Sequence, residues 1–184
     1  MMRVLCKWIL NLMGWKFQGV FPYHLKKYVV IVAPHTSGWD FIIGVLVLKA
    51  LRLEKTKYLG KKELFEPPFG FLFRWLGGYP VDRSSSHNLV DEVVKVLNQH
   101  EEFGIALSPE GTRARVDRLK TGFYNIARKA NVPIVMTGLD FGNKRCIFSE
   151  PFYTTGNMDQ DFQKILAFFR PIKGKHPEKG LMHL

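Results

Sequence analysis

Short β-branched segments alternate with helical segments along this chain, and that alternation restricts its fold more than any other feature. Residues 28–33 form a short β-branched run that predicts a buried strand, and residues 134–138 predict another strand. Residues 86–100 carry apolar side chains at helical spacing. Further strands are predicted over residues 58–60, 78–81, 104–107 and 145–148, and further helices over residues 39–53, 122–130 and 161–170. The pattern predicts an α/β fold: a single domain with a mixed, mainly parallel sheet flanked by helices.

Composition and charge restrict the classes of function that this chain can have. The chain has 184 residues and no repeat or Ser/Gly-rich linker, in keeping with one domain. Its 27 Lys and Arg residues against 16 Asp and Glu residues give a net charge of +11, so an anionic partner is expected: nucleic acid, a membrane surface or a phosphorylated substrate. A hydrophobic content of 46% excludes a disordered basic tail. Because there are only 2 cysteines, a disulfide scaffold and a cysteine-based zinc site are excluded, and no metal site is predicted.

The N-terminal residues predict an amphipathic helix. Apolar residues recur at helical spacing over residues 4–13, with Arg3, Lys7 and Asn11 elsewhere around the helix. Lys7 and Lys16 interrupt the segment, so neither a membrane span nor a signal peptide is expected. Such a helix either packs on the core or lies at a membrane interface. We predict that residues 1–21 form an amphipathic membrane-interface helix region.

The segment after the first predicted strand carries two titratable side chains, His35 and Asp40. Residues five positions apart point about 140° apart on a continuous helix, so the two would not meet there. A turn at Gly38 can instead fold Asp40, at the start of the next helix, back towards the imidazole. A carboxylate bonded to one ring nitrogen fixes the tautomer and leaves the other nitrogen free as a base. The alternative is a loop histidine beside an ordinary charge at a helix start.

The segment after residues 104–107 combines an acid, a glycine, a hydroxyl and a guanidinium in Glu110, Gly111, Thr112 and Arg113. Glycine lets the backbone approach a ligand closely, and the guanidinium fork suits phosphate. Lys120 adds positive charge nearby in sequence. The alternative interpretation is a solvated basic loop.

Together these segments resemble the glycerophospholipid acyltransferase family, which includes the 1-acylglycerol-3-phosphate acyltransferases. That family carries a histidine and an aspartate separated by four residues, followed by a Glu-Gly-Thr-Arg block. Both are intact here, as residues 35–40 and 110–113. Residues 77–83, which end in Arg83, resemble a second family block, and residues 132–135 resemble a fourth. Four blocks in the correct order are a specific signal.

The resemblance implies a reaction and a division of the chain. Residues 22–184 are then an acyltransferase domain that moves a fatty acyl group from a thioester to the free hydroxyl of a lysophospholipid such as 1-acylglycerol-3-phosphate. His35 and Asp40 are the predicted catalytic pair, with His35 as the general base. The hydroxyl attacks directly, since no Gly-x-Ser-x-Gly nucleophile elbow is present. No cofactor is expected, and the donor is acyl-CoA or an acylated acyl carrier protein.

The resemblance also implies binding residues, partners and a location. The predicted substrate-binding residues are Arg83, Glu110, Gly111, Thr112, Arg113 and Lys120. Arg83, Arg113 and Lys120 would meet an acceptor phosphate, and Glu110 would orient either the acceptor or its own loop. We predict a peripheral protein on the cytoplasmic, inner face of the membrane and no nucleic-acid partner. The spacing after Arg113 is shorter than in many members, which keeps open an amino-acid-derived lysolipid without phosphate. A basic membrane-surface or nucleic-acid-binding module is the other alternative.

Overall fold

The computed structural model describes residues 2–81 and 86–184. The helices are α1 (Met2–Leu12), α2 (Trp39–Ala50), α3 (Gly70–Trp75), α4 (Ser86–Gln99), α5 (Gly122–Ala130) and α6 (Met158–Phe169). The strands are β1 (Lys16–Gln18), β2 (Lys27–Ala33), β3 (Thr56–Lys61), β4 (Gly78–Val81), β5 (Phe103–Leu107), β6 (Ile134–Asp140) and β7 (Arg145–Phe148). Short 3₁₀ helices cover Lys62–Phe65 and Pro177–Lys179.

The strands of the described residues form one 7-stranded sheet in the order β1-β7-β6-β2-β5-β3-β4. Every neighbouring pair is parallel except β6 and β7, which are antiparallel. The two apolar segments β2 and β6 lie side by side at the centre. The predicted α/β class, with a mixed and mainly parallel sheet, is confirmed.

Helices cover both faces of the sheet because the side chains of β2 alternate between two clusters. Val29 and Ile31 pack in the cluster that contains the buried residues of α4, α5 and α6. Val30 packs in the cluster that contains those of α1 and α2. A strand buried from both sides is apolar throughout, which is why β2 has no polar alternation.

Some element boundaries differ from those that the sequence predicts. The last helix begins at Met158 rather than 161, because the Asn157 side chain accepts a hydrogen bond from the Gln160 N–H and caps an earlier start. α2 ends at Ala50 rather than 53, and Arg52 follows with a positive φ of 55°. The sequence predicts neither β1 nor α3.

α1 is buried along one narrow stripe only. Cys6 and Leu10 pack in the cluster beneath α2, whereas Trp8 and Leu12 are exposed. α1 therefore packs on the core and still presents an apolar face to its surroundings. β1, which lies in the predicted region 1–21, pairs with β7 at the edge of the sheet. In residues 2–81 and 86–184, no helix has the length and apolar character needed to cross a bilayer.

Three neighbouring helices expose large apolar side chains, which we call the apolar surface. α1 packs against α2, and the Lys49 ammonium of α2 donates to the Trp75 carbonyl at the end of α3, 2.9 Å away. The side chains of the apolar surface are Met2, Val4, Leu5, Trp8, Leu12, Trp39, Phe41, Ile42, Phe71, Leu72 and Trp75. Exposed apolar side chains on neighbouring helices are typical of surfaces that contact protein or lipid.

Candidate active site

The predicted site residues lie where two neighbouring strands end. β2 and β5 are parallel, with Ile31 opposite Leu107. The histidine loop (residues 34–38) leaves the carboxyl end of β2, and the glutamate loop (residues 108–121) leaves the carboxyl end of β5. Since the carboxyl ends of parallel strands share one edge of the sheet, the loops meet there, where α/β folds bind their ligands.

His35 and Asp40 are in contact across the histidine loop. The Nδ1 atom of His35 lies 3.1 Å from Oδ2 of Asp40. Asp40 is in the first turn of α2, is buried, and also accepts hydrogen bonds from the backbone N–H groups of Thr36 and Ser37 at 2.7 and 2.8 Å. These bonds fix the carboxylate before any ligand binds. With Nδ1–H donated to Asp40, the imidazole carries its lone pair on Nε2 and can accept a proton there.

The turn that brings Asp40 back does not need the conformational freedom of glycine. Gly38 has φ −63° and ψ −23°, which any residue adopts. A Cβ added at Gly38 would lie in ordinary contact with Nη1 of Arg113, 3.7 Å away, so Arg113 lies close to this turn. The predicted folding back occurs, and Arg113 of the glutamate loop lies beside the histidine loop.

The side chain of Glu110 binds the backbone of the histidine loop. Its carboxylate oxygens accept the His35 N–H at 2.7 and 3.0 Å, and its side chain is only 1% exposed. The sequence suggests that Glu110 orients the acceptor or its own loop, but this contact is with the histidine loop. Burial raises the pKa of Glu110 to about 7, although the hydrogen bond from His35 acts in the opposite direction. Glu110 therefore joins the glutamate loop to the histidine loop.

The raised pKa of Glu110 gives a testable pH dependence of stability. Between pH 4.5 and about 7 the folded protein holds a proton that the unfolded chain lacks, so this group lowers the free energy of unfolding as the pH rises. Gln cannot ionise and its amide oxygen can still accept the His35 N–H. We expect the unfolding free energy of Glu110→Gln, relative to wild type, to rise by about 3 kcal/mol from pH 4.5 to pH 8.

Urea unfolding of both proteins across this pH range measures the difference. Glu66→Gln, at an exposed glutamate, is the matched control. A constant difference between Glu110→Gln and wild type across the range would contradict the assignment.

The structure brings three other predicted residues to the same edge of the sheet. Gly111 has a φ of 69°, a left-handed conformation that favours glycine, and a Cβ there would lie 3.3 Å from Cγ of Lys120. Lys120 therefore lies across the turn at Gly111. Thr112 is exposed, and its hydroxyl accepts the Ala114 N–H within the loop. Arg83 lies outside the described residues.

One residue at the site was not predicted by sequence reasoning. Thr36 is buried, and its hydroxyl oxygen accepts a hydrogen bond from the backbone N–H of His176, 3.1 Å away. No local pattern indicates this contact, because it joins residues 140 positions apart. In the described part of the chain, no group of three His, Cys, Asp or Glu side chains is arranged to hold a metal ion.

Comparison with known proteins identifies the family of this fold and site. The Acyltransferase family model matches residues 16–139, which is more than half of the chain and includes both loops. The fold is similar to the crystal structure of the 1-acyl-sn-glycerophosphate (LPA) acyltransferase PlsC from Thermotoga maritima, with a TM-score of 0.59 and 15% sequence identity over 89% of this chain and 74% of that chain. No curated protein matches the sequence. The family model confirms the resemblance that the sequence motifs indicate, and the chain belongs to the Acyltransferase family of enzymes.

Proposed function

We propose that this acyltransferase moves a fatty acyl group from an acyl thioester to the free hydroxyl of a lysophospholipid such as 1-acylglycerol-3-phosphate. The observation that carries the proposal is the 3.1 Å contact between Nδ1 of His35 and the buried Asp40, beside the arginine of the glutamate loop. The acceptor named for the enzyme of similar fold from Thermotoga maritima supports this choice. The donor is acyl-CoA or an acylated acyl carrier protein, because both are thioesters and both are anionic.

His35 is the general base in this proposal. An alcohol is a weak nucleophile at neutral pH, so Nε2 of His35 takes the hydroxyl proton as the oxygen attacks the thioester carbonyl. The imidazolium that forms is stabilised by Asp40, which keeps its orientation. When the tetrahedral intermediate collapses, the C–S bond breaks and the imidazolium returns the proton to the thiolate. The products are the acylated lipid and the free thiol.

Direct attack is favoured over a covalent acyl-enzyme. The cysteines Cys6 and Cys146 are both buried in the cluster beneath α1 and α2. Burial raises the pKa of the Cys146 thiol, which removes the thiolate that nucleophilic catalysis would need. His35, by contrast, is partly exposed at the loop edge and can reach a substrate.

The acceptor phosphate lies between the two loops in this proposal. Arg113 is exposed next to Gly38 of the histidine loop, and Lys120 lies against Gly111 within the glutamate loop. Arg83 remains a predicted third ligand. A guanidinium binds phosphate through two parallel hydrogen bonds, so Arg113 is expected to dominate.

Replacing Arg113 by alanine tests this phosphate site. A charge-assisted hydrogen bond contributes about 1.5–3 kcal/mol, so we expect the acceptor KM to rise about 10- to 100-fold with a smaller change in kcat. Initial rates at varied acceptor concentration measure the effect. Arg128→Ala removes the same charge from an exposed position on α5 and is the control. An unchanged acceptor KM in Arg113→Ala would contradict the phosphate site.

We also propose that the protein works at the inner, cytoplasmic face of a membrane as a peripheral protein. The apolar surface of α1, α2 and α3 would enter the lipid interface, and the net charge of +11 would add attraction to anionic lipids. The histidine loop leads directly into α2, whose first residues Trp39 and Phe41 belong to the apolar surface. A lysolipid could therefore reach His35 from the bilayer without crossing bulk water.

The experiment that tests the proposed function is acyl transfer by the purified protein, with detergent-dispersed lysophosphatidic acid and a palmitoyl thioester. Appearance of diacylated lipid together with free thiol supports it. An intact thioester would point to another donor or to an acceptor without phosphate, such as an amino-acid-derived lysolipid. Loss of thioester without a lipid product would indicate hydrolysis and would overturn the proposal.

A further inference from the structure

The segment that follows α6, residues 171–184, runs past the active-site edge of the sheet. The Phe141 N–H, just beyond β6, donates to the Lys173 carbonyl at 2.8 Å, which holds the segment at the end of that strand. Ile172 and Leu181 are buried in the core cluster that also contains the buried residues of α4, α5 and α6. The segment is therefore anchored on both sides of its middle residues, 173–180.

Residues 173–180 pack against the histidine loop at Thr36. The His176 N–H donates to Oγ1 of Thr36 at 3.1 Å. Gly174 fits so closely that an added Cβ would lie 2.7 Å from Oγ1 and 2.9 Å from Cγ2 of Thr36. Thr36 in turn donates its backbone N–H to Asp40 at 2.7 Å, and Asp40 contacts His35.

The same segment also reaches the glutamate loop. Nε2 of His183 lies 2.8 Å from the carbonyl oxygen of Val116. Both loops of the site thus contact one segment of chain, in addition to the bond that Glu110 makes between them.

We propose that residues 171–184 position the catalytic pair, with Gly174 and Thr36 as the positioning residues. This inference rests on the proposed role of His35 as base. Thr36 is confined between Gly174 and Asp40, so a displacement of its side chain moves the backbone N–H that holds the carboxylate. The His35–Asp40 contact then changes without any change in the residues that would bind substrate.

Gly174→Ala is the direct test, because it adds one carbon at the point of closest approach. A catalytic group displaced by about 1 Å can cost a hundredfold in rate, so we expect kcat to fall about 10- to 100-fold while the acceptor KM stays within twofold. Gly44→Ala is the matched control, since a Cβ at Gly44 meets no atom within 4 Å. It should retain the wild-type kcat.

A double-mutant cycle separates positioning from general damage. In a Thr36→Ala background the added Cβ of Gly174→Ala no longer meets the threonine side chain, so it should lower kcat by less than about twofold further. An equal loss in both backgrounds would overturn the proposal. If Gly174→Ala fails to fold, Thr36→Val tests the same link, since it keeps the shape and removes the oxygen that accepts from His176. We expect it to lower kcat about fivefold, and a wild-type kcat would overturn the proposal.

A readout independent of turnover keeps this inference distinct from the proposed function. ¹⁵N NMR of the imidazole ring reports which nitrogen of His35 carries the proton, and the His35→Ala spectrum assigns the signal. We expect the Nδ1–H form in wild type and in Gly44→Ala, and a shifted signal in Gly174→Ala. If wild type transfers acyl groups but Gly174→Ala changes neither kcat nor this signal, the positioning role fails alone. If the signal shifts while wild type is inactive, the proposed function fails alone.

Discussion

Replacing His35 by alanine is expected to lower kcat for acyl transfer by about 10²- to 10⁴-fold, the range that a general base contributes. Among the described residues, the other hydrogen-bond partners of Asp40 are the backbone N–H groups of Thr36 and Ser37, and neither group can act as a base. The fold should survive, since the His35 side chain is 25% exposed in a loop and leaves no large core cavity. Weakened substrate binding is not expected, so KM should change little.

Initial rates of lipid product and of free thiol, together with thermal unfolding followed by circular dichroism, measure both parts of this prediction. His24→Ala is the matched control, because His24 is an exposed histidine outside both loops. Transfer at the wild-type rate by His35→Ala would refute the role as base. A large fall in melting temperature with the loss of activity would instead make His35 a structural residue.

The second large effect is expected at the apolar surface. The double variant Trp8→Asp/Phe71→Asp should bind anionic vesicles at least about a hundredfold more weakly than wild type, because burial of each large aromatic side chain contributes about 1.5–3 kcal/mol. Trp8 is 59% exposed on α1 and Phe71 is 73% exposed on α3, so aspartate at either position costs the folded protein little. Because Trp8 lies on α1 and Phe71 lies on α3, this one variant tests two helices that are distant in sequence.

Co-sedimentation with vesicles of phosphatidylglycerol and phosphatidylcholine measures the partition coefficient at low and high salt. Tyr153→Asp carries the same change at a 58% exposed aromatic outside the apolar surface and should bind as wild type does, apart from the small effect of one charge. High salt should weaken binding only in part, since it screens the ionic attraction and leaves the apolar contribution. Equal partitioning of the double variant and wild type would show that the apolar surface is not the membrane contact.

Local patterns in the sequence predict much of this fold. β7 and α5 have the predicted limits, and α5 ends where Asn131 adopts φ 51° and ψ 48°, as a polar residue before Val-Pro suggests. β1 could not be predicted, because its three residues are all exposed and carry no alternation. α3 has only six residues, too few to establish a helical period in a run of aromatic side chains.

The candidate site likewise combines a local contact, which the sequence predicts, with contacts between distant residues, which it does not. The His35–Asp40 contact lies within one short segment, so a turn between the two residues is enough to predict it. The bond from the His35 N–H to Glu110 joins residues 75 positions apart, and that from His176 to Thr36 joins residues 140 positions apart. Only the order of strands in the sheet brings these residues together, and no periodicity within a single segment carries that order.

That strand order makes the active edge a late product of protein synthesis. β2 ends at residue 33, but its neighbours β5 and β6 end only at residues 107 and 140. At about 5–20 residues per second, His176 leaves the ribosome about 7–28 s after Thr36. Until residue 107 has been synthesised, both edges of the central strand are unpaired, and the exposed apolar side chains of α1 and α2 are available to chaperones or to lipid. A nascent chain can thus expose this apolar surface well before its active edge is assembled.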